Sequence, residues 1–274
     1  MADRHFLDRA LDTVGWPAGQ VGDFRVSVVL LGLMVIAGAA LVLGLAPSPY
    51  GRYALRSRDG PMMQAKLAWV LQEAPNLVMA ALAWESGDAA CTECVANRVL
   101  LGLFVAHYVN RTLVFPIRMV GGKPTPVYTF LCAFAFCCVN GFLQGRALTK
   151  WTPMGEEWVR DPRFIAGVAL WCAGVWINTR ADAILRGLRK GPEDKGYYIP
   201  RGGMFEWVSG ANFFGEIVEW CGFAIACWSW TGLVFALCTI LNVAPRARKH
   251  HLDYKRRFGD RYPAERTAVF PYVW

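Results

Sequence analysis

The chain has 274 residues, 55% hydrophobic and 18% charged, with a formal net charge of +8. Length alone would allow a large soluble domain, but the apolar residues come in long blocks. Residues 26–45 run for twenty positions without a charge, the length a helix rising ~1.5 Å per residue needs to cross the core of a bilayer. An ordinary soluble domain is thereby excluded, and the surplus of Lys and Arg reads as membrane topology rather than as a nucleic-acid surface.

The first block lies too far from the N-terminus, and is too long, for a cleaved signal peptide, so it is expected to persist as a span. Before it, residues up to Arg25 mix charges with Trp16 and Phe24 and suit the membrane interface. Pro47, Pro49 and Gly51 close the first span. The second is expected at 65–84 with Gln72, Glu73 and Pro75 inside it, and the third at 99–117 with His107, Tyr108, Asn110 and Arg111 near its middle. The fourth, 127–148, holds Asn140 and Gln144. A fifth, 164–180, is closed by Asn178 and Arg180. Residues 205–244 form a nearly continuous apolar region broken by Glu206, Asn212, Glu216 and Glu219. It fits two crossings, 205–228 and 231–245, joined by a turn at Ser229-Trp230-Thr231-Gly232, with a basic tail over 246–274. The expectation is an all-α membrane protein, a seven-helix bundle forming a single membrane domain over 1–274. Of the 29 Lys and Arg, twenty fall on one side if the C-terminus is cytoplasmic and eight on the other, with Arg111 inside the membrane. The positive-inside rule then places the N-terminus outside and the loop from Arg189 to Gly203 in the cytoplasm.

Of nine cysteines, seven sit in apolar blocks, where cysteine packs as a small hydrophobe. Cys91 and Cys94 make a lone C-x-x-C; without a second pair or spaced histidines no metal site is expected, and a local disulfide or two free thiols are the readings.

Polar groups inside spans need a reason, because burying an unpaired carboxylate or amide in hydrocarbon is costly. Glu73 lies deep in its helix. An ion pair with Arg111 would explain it structurally. An acid and a phenol, Glu73 and Tyr108, aimed at one point would instead polarise a carbonyl oxygen. Asn140 with Gln144, Asn178 with Asp182, and Asn212 with Glu216 each repeat an i, i+4 spacing, which puts each pair on one helix face. Interhelical hydrogen bonds explain each pair alone, and a solvated helix end would account for Asn178 and Asp182. Three pairs from three helices suggest a lined polar cavity. No G-x-G-x-x-G or Walker loop accompanies it, but Lys123, Arg189, Lys190 and Arg201 could meet a phosphate at its mouth.

At these residues the sequence resembles the steroid 5-alpha-reductase (3-oxo-5-alpha-steroid 4-dehydrogenase) family. The resemblance runs through Gln72-Glu73 before Pro75, His107-Tyr108 before Arg111-Thr112, Asn140-Gly141, Asn178 with Asp182, and Leu188-Arg189-Lys190. It continues through Tyr197, Gly202-Gly203, Ser209-Gly210-Ala211-Asn212-Phe213, Gly215-Glu216-Ile217, Glu219-Trp220, His250-His251, Tyr254 and Arg266, about the last three quarters of the chain. It implies NADPH-dependent reduction, by hydride transfer to the β carbon, of a double bond conjugated to a ketone in a lipophilic 3-oxo-4-ene substrate that arrives from the membrane. Glu73 and Tyr108 would be catalytic, hydrogen-bonding the ketone, with Gln72 beside them in the substrate site. Lys123, Asn140, Asn178, Asp182, Arg189, Tyr197, Asn212, Glu216, His250 and Tyr254 would hold the dinucleotide. The chain departs from the family pattern at Ala74, at Tyr198 where an Arg is usual, at Lys249 where a His is usual, and in a loop near Lys123 one residue longer. No obligatory protein partner is expected beyond membrane lipid. Rival readings are a sterol reductase acting at another double bond, an isoprenylcysteine carboxyl methyltransferase-like enzyme using S-adenosylmethionine, and a non-enzymatic lipid-binding protein.

Overall fold

The computed structural model describes residues 28–29, 32–36, 60–189, 191, 194 and 196–273. Most of the expected first span, its closing loop and the N-terminal interfacial segment lie outside the described residues; the described parts of the first span are helical. Six long helices follow, which we number α1 (Ala65–Glu85), α2 (Val95–Val109), α3 (Val127–Arg146), α4 (Pro162–Gly187), α5 (Ala211–Cys227) and α6 (Trp230–Phe258). α2 continues through a π-helical turn, Asn110–Val114, to Arg118, and α3 through another, Ala147–Trp151. A two-residue antiparallel pairing, Met62↔Pro126 and Met63↔Thr125, ties the entries of α1 and α3 together.

Among the described residues four helices are long and apolar enough to cross a membrane: Val95–Arg118, Val127–Trp151, Pro162–Gly187 and Trp230–Arg261. Their outer faces carry the apolar side chains that water would reject. Ile117 is 78% exposed and Trp176 is 64% exposed, and this is the surface of a membrane protein rather than of a soluble domain.

Several expected boundaries move. The fifth span does not end at 180. α4 runs on to Gly187, so Asn178 and Asp182 sit inside the helix and are buried. They are interior residues, and a solvated helix end does not explain them. The sixth helix starts at Ala211, not 205: Gly203–Glu206 is a 3₁₀ turn, and Gly202 and Gly203 have φ of +88° and +56°, values that favour glycine. The turn into α6 begins one residue early, at Trp228 (φ +46°) and Ser229, whose side chain caps Gly232 N at 3.2 Å. The expected tail is also mostly structured. α6 runs unbroken to Phe258, and residues 266–268 lie along the entry to α5, with Ser209 N donating to Thr267 O and Gly210 N to Ala268 O, both at 2.9 Å.

The main core gathers Phe104, Tyr108, Leu143, Trp151, Trp220, Phe223 and Phe235 from α2, α3, α5 and α6. Trp220 is its hub, with ring centroids 4.3 Å from Phe235, 5.5 Å from Phe223 and 4.5 Å from His107.

Two seams of small residues set the helix positions. On α3, a Cβ at Gly141 would stand 2.8 Å from Asn76 Cα, and one at Gly145 would stand 2.8 Å from Ala83 Cβ, both on α1. Between α4 and α5, Gly167 and Gly174 interleave with Gly215 and Gly222, and backbone meets backbone: a Cβ at Gly215 would lie 2.5 Å from Asn178 N, and one at Gly222 the same distance from Trp171 N. Such approach is how helices associate in lipid, where packing rather than water exclusion drives contact. Gly215→Ala should therefore force the helices apart and cost about 1–3 kcal/mol by overpacking, read as a lower thermal midpoint in detergent. Gly102→Ala, where nothing lies within 4 Å of the added carbon, should leave the midpoint unchanged.

Candidate functional site

The π-turn at Asn110–Val114 matters because one residue is added to a helical turn, and the faces before and after it no longer follow α-helical spacing. Within His107–Arg111, α2 reaches three other helices. His107 Nδ1 lies 2.5 Å from Glu219 Oε1 on α5. The Tyr108 hydroxyl accepts from Asn140 Nδ2 on α3 at 3.1 Å. Arg111 Nη1 lies 3.6 Å from Asp182 Oδ2 on α4, with its guanidinium 4.8 Å from the Trp69 ring and 4.6 Å from that of Phe115. The sequence had suggested Glu73 as the partner of Arg111. The ion pair seen is with Asp182, while Glu73 lies close enough to Arg111, His107 and Glu216 for their charges to act on it.

Glu73 and Tyr108 are joined through Asn76, whose Nδ2 donates to the Glu73 backbone carbonyl at 3.5 Å, and Asn140. Gln72 Nε2 donates to Glu73 Oε1 at 3.1 Å, and Cys137 Sγ stands 3.9 Å from Oε2. Asn140 Nδ2 also lies 3.1 Å from Asn76 Oδ1, and Gln144 Nε2 donates to Asn140 Oδ1 at 3.4 Å and to Thr231 O at 2.9 Å. Asn140, expected on the dinucleotide, thus sits beside Tyr108. Because the phenol oxygen accepts from Asn140, its own proton is left to donate elsewhere.

A second group stands across the bundle. Asn178 Nδ2 donates to Asn212 O at 2.9 Å, across the point where Gly215 lets the α4 backbone in. The two groups adjoin through Arg111, which follows Tyr108 by three residues and pairs with Asp182 at 3.6 Å, and Glu216 lies close enough to Asp182, Glu73 and Tyr108 for its charge to act on them. His250 on α6 stacks on Phe213, next to Asn212, with centroids 5.8 Å apart at 22°. One turn on, Tyr254 is buried and stacks on Tyr262 at 5.5 Å.

The remaining expected residues collect at that end of the bundle. Arg189 is exposed and its Nη1 donates to Val120 O at 2.6 Å. It thereby holds the loop that carries Lys123, also exposed. Tyr197 is half-buried under the Arg257 guanidinium at 4.2 Å.

Asn76 escapes the sequence reading, and Glu219 and Arg266 are named there without a role of their own. Asn76 could have been found, since it lies four after Gln72 in the same span. Glu219 was noticed without a partner. Arg266 had no signal of its burial in a basic tail, yet its side chain is fully buried, donates from Nη1 to Pro200 O at 2.9 Å and faces Glu206 at 3.6 Å. It fastens the loop 196–206 from below.

Cys91 and Cys94 are free thiols. Burial pushes the Cys91 thiol up to about 11, and Cys94 Sγ donates to Met154 O at 2.7 Å, so both serve the loop's packing. Among the described residues no group of three or more His, Cys, Asp or Glu is arranged to hold a metal ion.

A family model described as 3-oxo-5-alpha-steroid 4-dehydrogenase matches residues 123–274. The chain belongs to this family. It is 48% identical over 231 residues to 3-oxo-5-alpha-steroid 4-dehydrogenase 1 of Mus musculus, covering 84% of this chain and 89% of the relative. It is 41% identical over 251 residues to 3-oxo-5-alpha-steroid 4-dehydrogenase 2 of Rattus norvegicus, covering 88% and 96%. To steroid 5-alpha-reductase DET2 of Gossypium hirsutum it is 39% identical over 251 residues, covering 89% and 96%. These are oxidoreductases, and the chain is an enzyme of the steroid 5-alpha-reductase family with membrane-type helices.

The Arg111–Asp182 pair is nearly buried, and removing one partner of such a pair leaves the other charge uncompensated. Arg111→Met should therefore cost about 3–5 kcal/mol, and adding Asp182→Leu should recover much of it, a non-additivity that thermal unfolding of the single and double variants in detergent would read.

Proposed function

We propose that the chain reduces the 4,5 double bond of 3-oxo-4-ene steroids, or of similar lipophilic enones, with NADPH as reductant. One observation carries this reading: the Glu73 and Tyr108 group and the Asn178, Asp182, Asn212 and Glu216 group adjoin inside the bundle, joined where Arg111, three residues after Tyr108 on α2, pairs with Asp182 on α4 at 3.6 Å. The acid and phenol direct hydrogen bonds at the ketone oxygen, where negative charge grows during reduction; in a water-poor interior such donors contribute a few kcal/mol. Asn140 donates to the phenol oxygen and so leaves its proton free to donate, and Gln72 holds one Glu73 oxygen, leaving the other, with only the Cys137 thiol 3.9 Å away, for the substrate.

The residues present fit a dinucleotide. Asn178, Asp182, Asn212 and Glu216 offer amide and carboxylate groups to its sugar and nicotinamide portions, and His250 and Tyr254 offer ring faces. Lys123, Arg189 and Tyr197 stand at the same end for its phosphates. Nearby, Arg266 Nε is buried without a hydrogen-bond partner, and Nη2 has only the Glu206 carboxylate at 3.6 Å, so the guanidinium keeps a donor that an anionic ligand close by would satisfy. When bound, NADPH would supply the hydride for the β carbon of the enone; the protein supplies orientation and electrostatics. The Lys and Arg bias supports seven spans in one membrane domain over 1–274, the N-terminus outside and the dinucleotide end in the cytoplasm.

Purified protein with NADPH and a 3-oxo-4-ene steroid should oxidise the cofactor and yield a 5-alpha product; absence of both would sink the proposal. Glu73→Gln and Tyr108→Phe should each lower kcat on the order of 10²-fold while still binding NADPH. Loss of cofactor binding in either would move that residue to the other group. NADPH at about 100 times its Kd should stabilise the folded protein by ~2.7 kcal/mol, and an unchanged thermal midpoint would argue against a dinucleotide site.

A further inference from the structure

The contact between His107 and Glu219 is absorbed neither by the substrate group nor by the dinucleotide group. Both side chains are buried, 7% and 1% exposed, with Nδ1 and Oε1 2.5 Å apart. The imidazole stands edge-on between two rings, 4.9 Å from Tyr108 and 4.5 Å from Trp220. Glu219 is itself fixed, because the α4 backbone at Gly174 packs directly on its backbone. A rigid route therefore runs from the α4–α5 seam through Glu219 to His107, and from there to the adjoining residue Tyr108.

We propose that Glu219 and His107 are a positioning pair: the carboxylate holds the imidazole by Nδ1, and the imidazole in turn sets where the Tyr108 hydroxyl stands relative to Glu216. The inference rests on the reading of Tyr108 as a donor to the substrate ketone. Two observations set the pair apart from ordinary interhelical glue. A bond that merely joined α2 to α5 could stand anywhere along them, whereas this one falls on the residue next to Tyr108 with its ring against the phenol. His107 also lies within range of Glu73's charge, so the imidazole stands near both ketone-facing groups. Fixing the other nitrogen of a functional imidazole through a carboxylate is how tautomer and ring angle are commonly set.

The side-chain amide of Asn can stand in for Nδ1 of a histidine and that of Gln for Nε2, which separates the pair from the ring as a whole. The test compares wild type, Glu219→Gln, His107→Asn, His107→Gln and the apolar double variant His107→Phe/Glu219→Leu, using NADPH and a 3-oxo-4-ene steroid in detergent. For each, kcat per folded molecule, both KM values, NADPH binding and the thermal midpoint are measured. Glu219→Gln and His107→Gln are expected to lower kcat on the order of 10-fold to 100-fold through misplacement of the phenol, with NADPH binding and both KM values within about threefold. His107→Asn, which keeps the bond to Glu219 but loses the ring against the phenol, should have a kcat between those of wild type and His107→Gln. The double variant leaves no orphaned charge, so it should fold even where a single variant does not, and its kcat should still be low. A Glu219→Gln kcat within twofold of wild type overturns the inference. So does a His107→Asn kcat as low as that of His107→Gln, or a loss explained wholly by the folded fraction. Absence of steroid reduction by the wild type overturns the functional reading first, and the inference with it.

Discussion

The close approach of α4 and α5 is the constraint on which the interior depends. Where Gly174, Gly215 and Gly222 face the opposite helix there is no room for a side chain, and backbone packs on backbone. Two consequences follow. The carbonyl of Asn212 comes within reach of the Asn178 amide, so residues more than thirty positions apart share one polar surface. Glu219 is pressed against Gly174 and presents its carboxylate to α2 from a fixed place. A looser pair of helices could carry the same side chains without bringing them to register.

Lipid sets the second rule. Polar side chains inside a membrane-spanning bundle must find partners in the protein, and here the partners are shared in chains: Gln144 with Asn140, Asn140 with Tyr108 and Asn76, Gln72 with Glu73. Each link fixes which proton or lone pair remains open. The Tyr108 hydroxyl is held as an acceptor by Asn140 and keeps its proton for another acceptor. The chain of amides on α3 is in that sense a jig for the phenol on α2.

Much of this was legible in the sequence. The spacings Asn140 with Gln144, Asn178 with Asp182, and Asn212 with Glu216 marked one face on each of three helices, and the structure turns those faces inward. Lys123, Arg189, Tyr197, His250 and Tyr254 do collect at one end. Legibility failed where a contact depends on backbone geometry that composition does not encode. The π-turn after Val109 resets the faces of α2, so Arg111 pairs with Asp182 rather than with Glu73. The fifth span is expected to end at 180 because an Asn, Arg and Asp cluster interrupts the apolar run, yet the helix continues to Gly187 and neighbouring helices cover Asn178 and Asp182. Arg266 read as one more cation in a basic tail, because nothing in that stretch signals that the tail folds back along the entry to α5.

Stability does not explain the buried ionic contacts. Replacing a buried ion pair by apolar side chains of similar volume is often neutral or stabilising, since desolvating two charges offsets much of their attraction. Arg111 with Asp182 and His107 with Glu219 are therefore poor ways to hold three helices together, and the glycine seams already do that work. An apolar pair could not fix charge at chosen points in a medium that screens it weakly. The two contacts bracket Tyr108: Arg111, three residues after it, holds the Asp182 carboxylate at 3.6 Å, and the Glu219 carboxylate is held by His107, the residue before it. The expense of burying them makes sense if the interior has to present a fixed pattern of charge to a ligand that is itself changing charge. That requirement falls on the meeting place of the two polar groups, and α2, which carries Tyr108 between His107 and Arg111, runs through it.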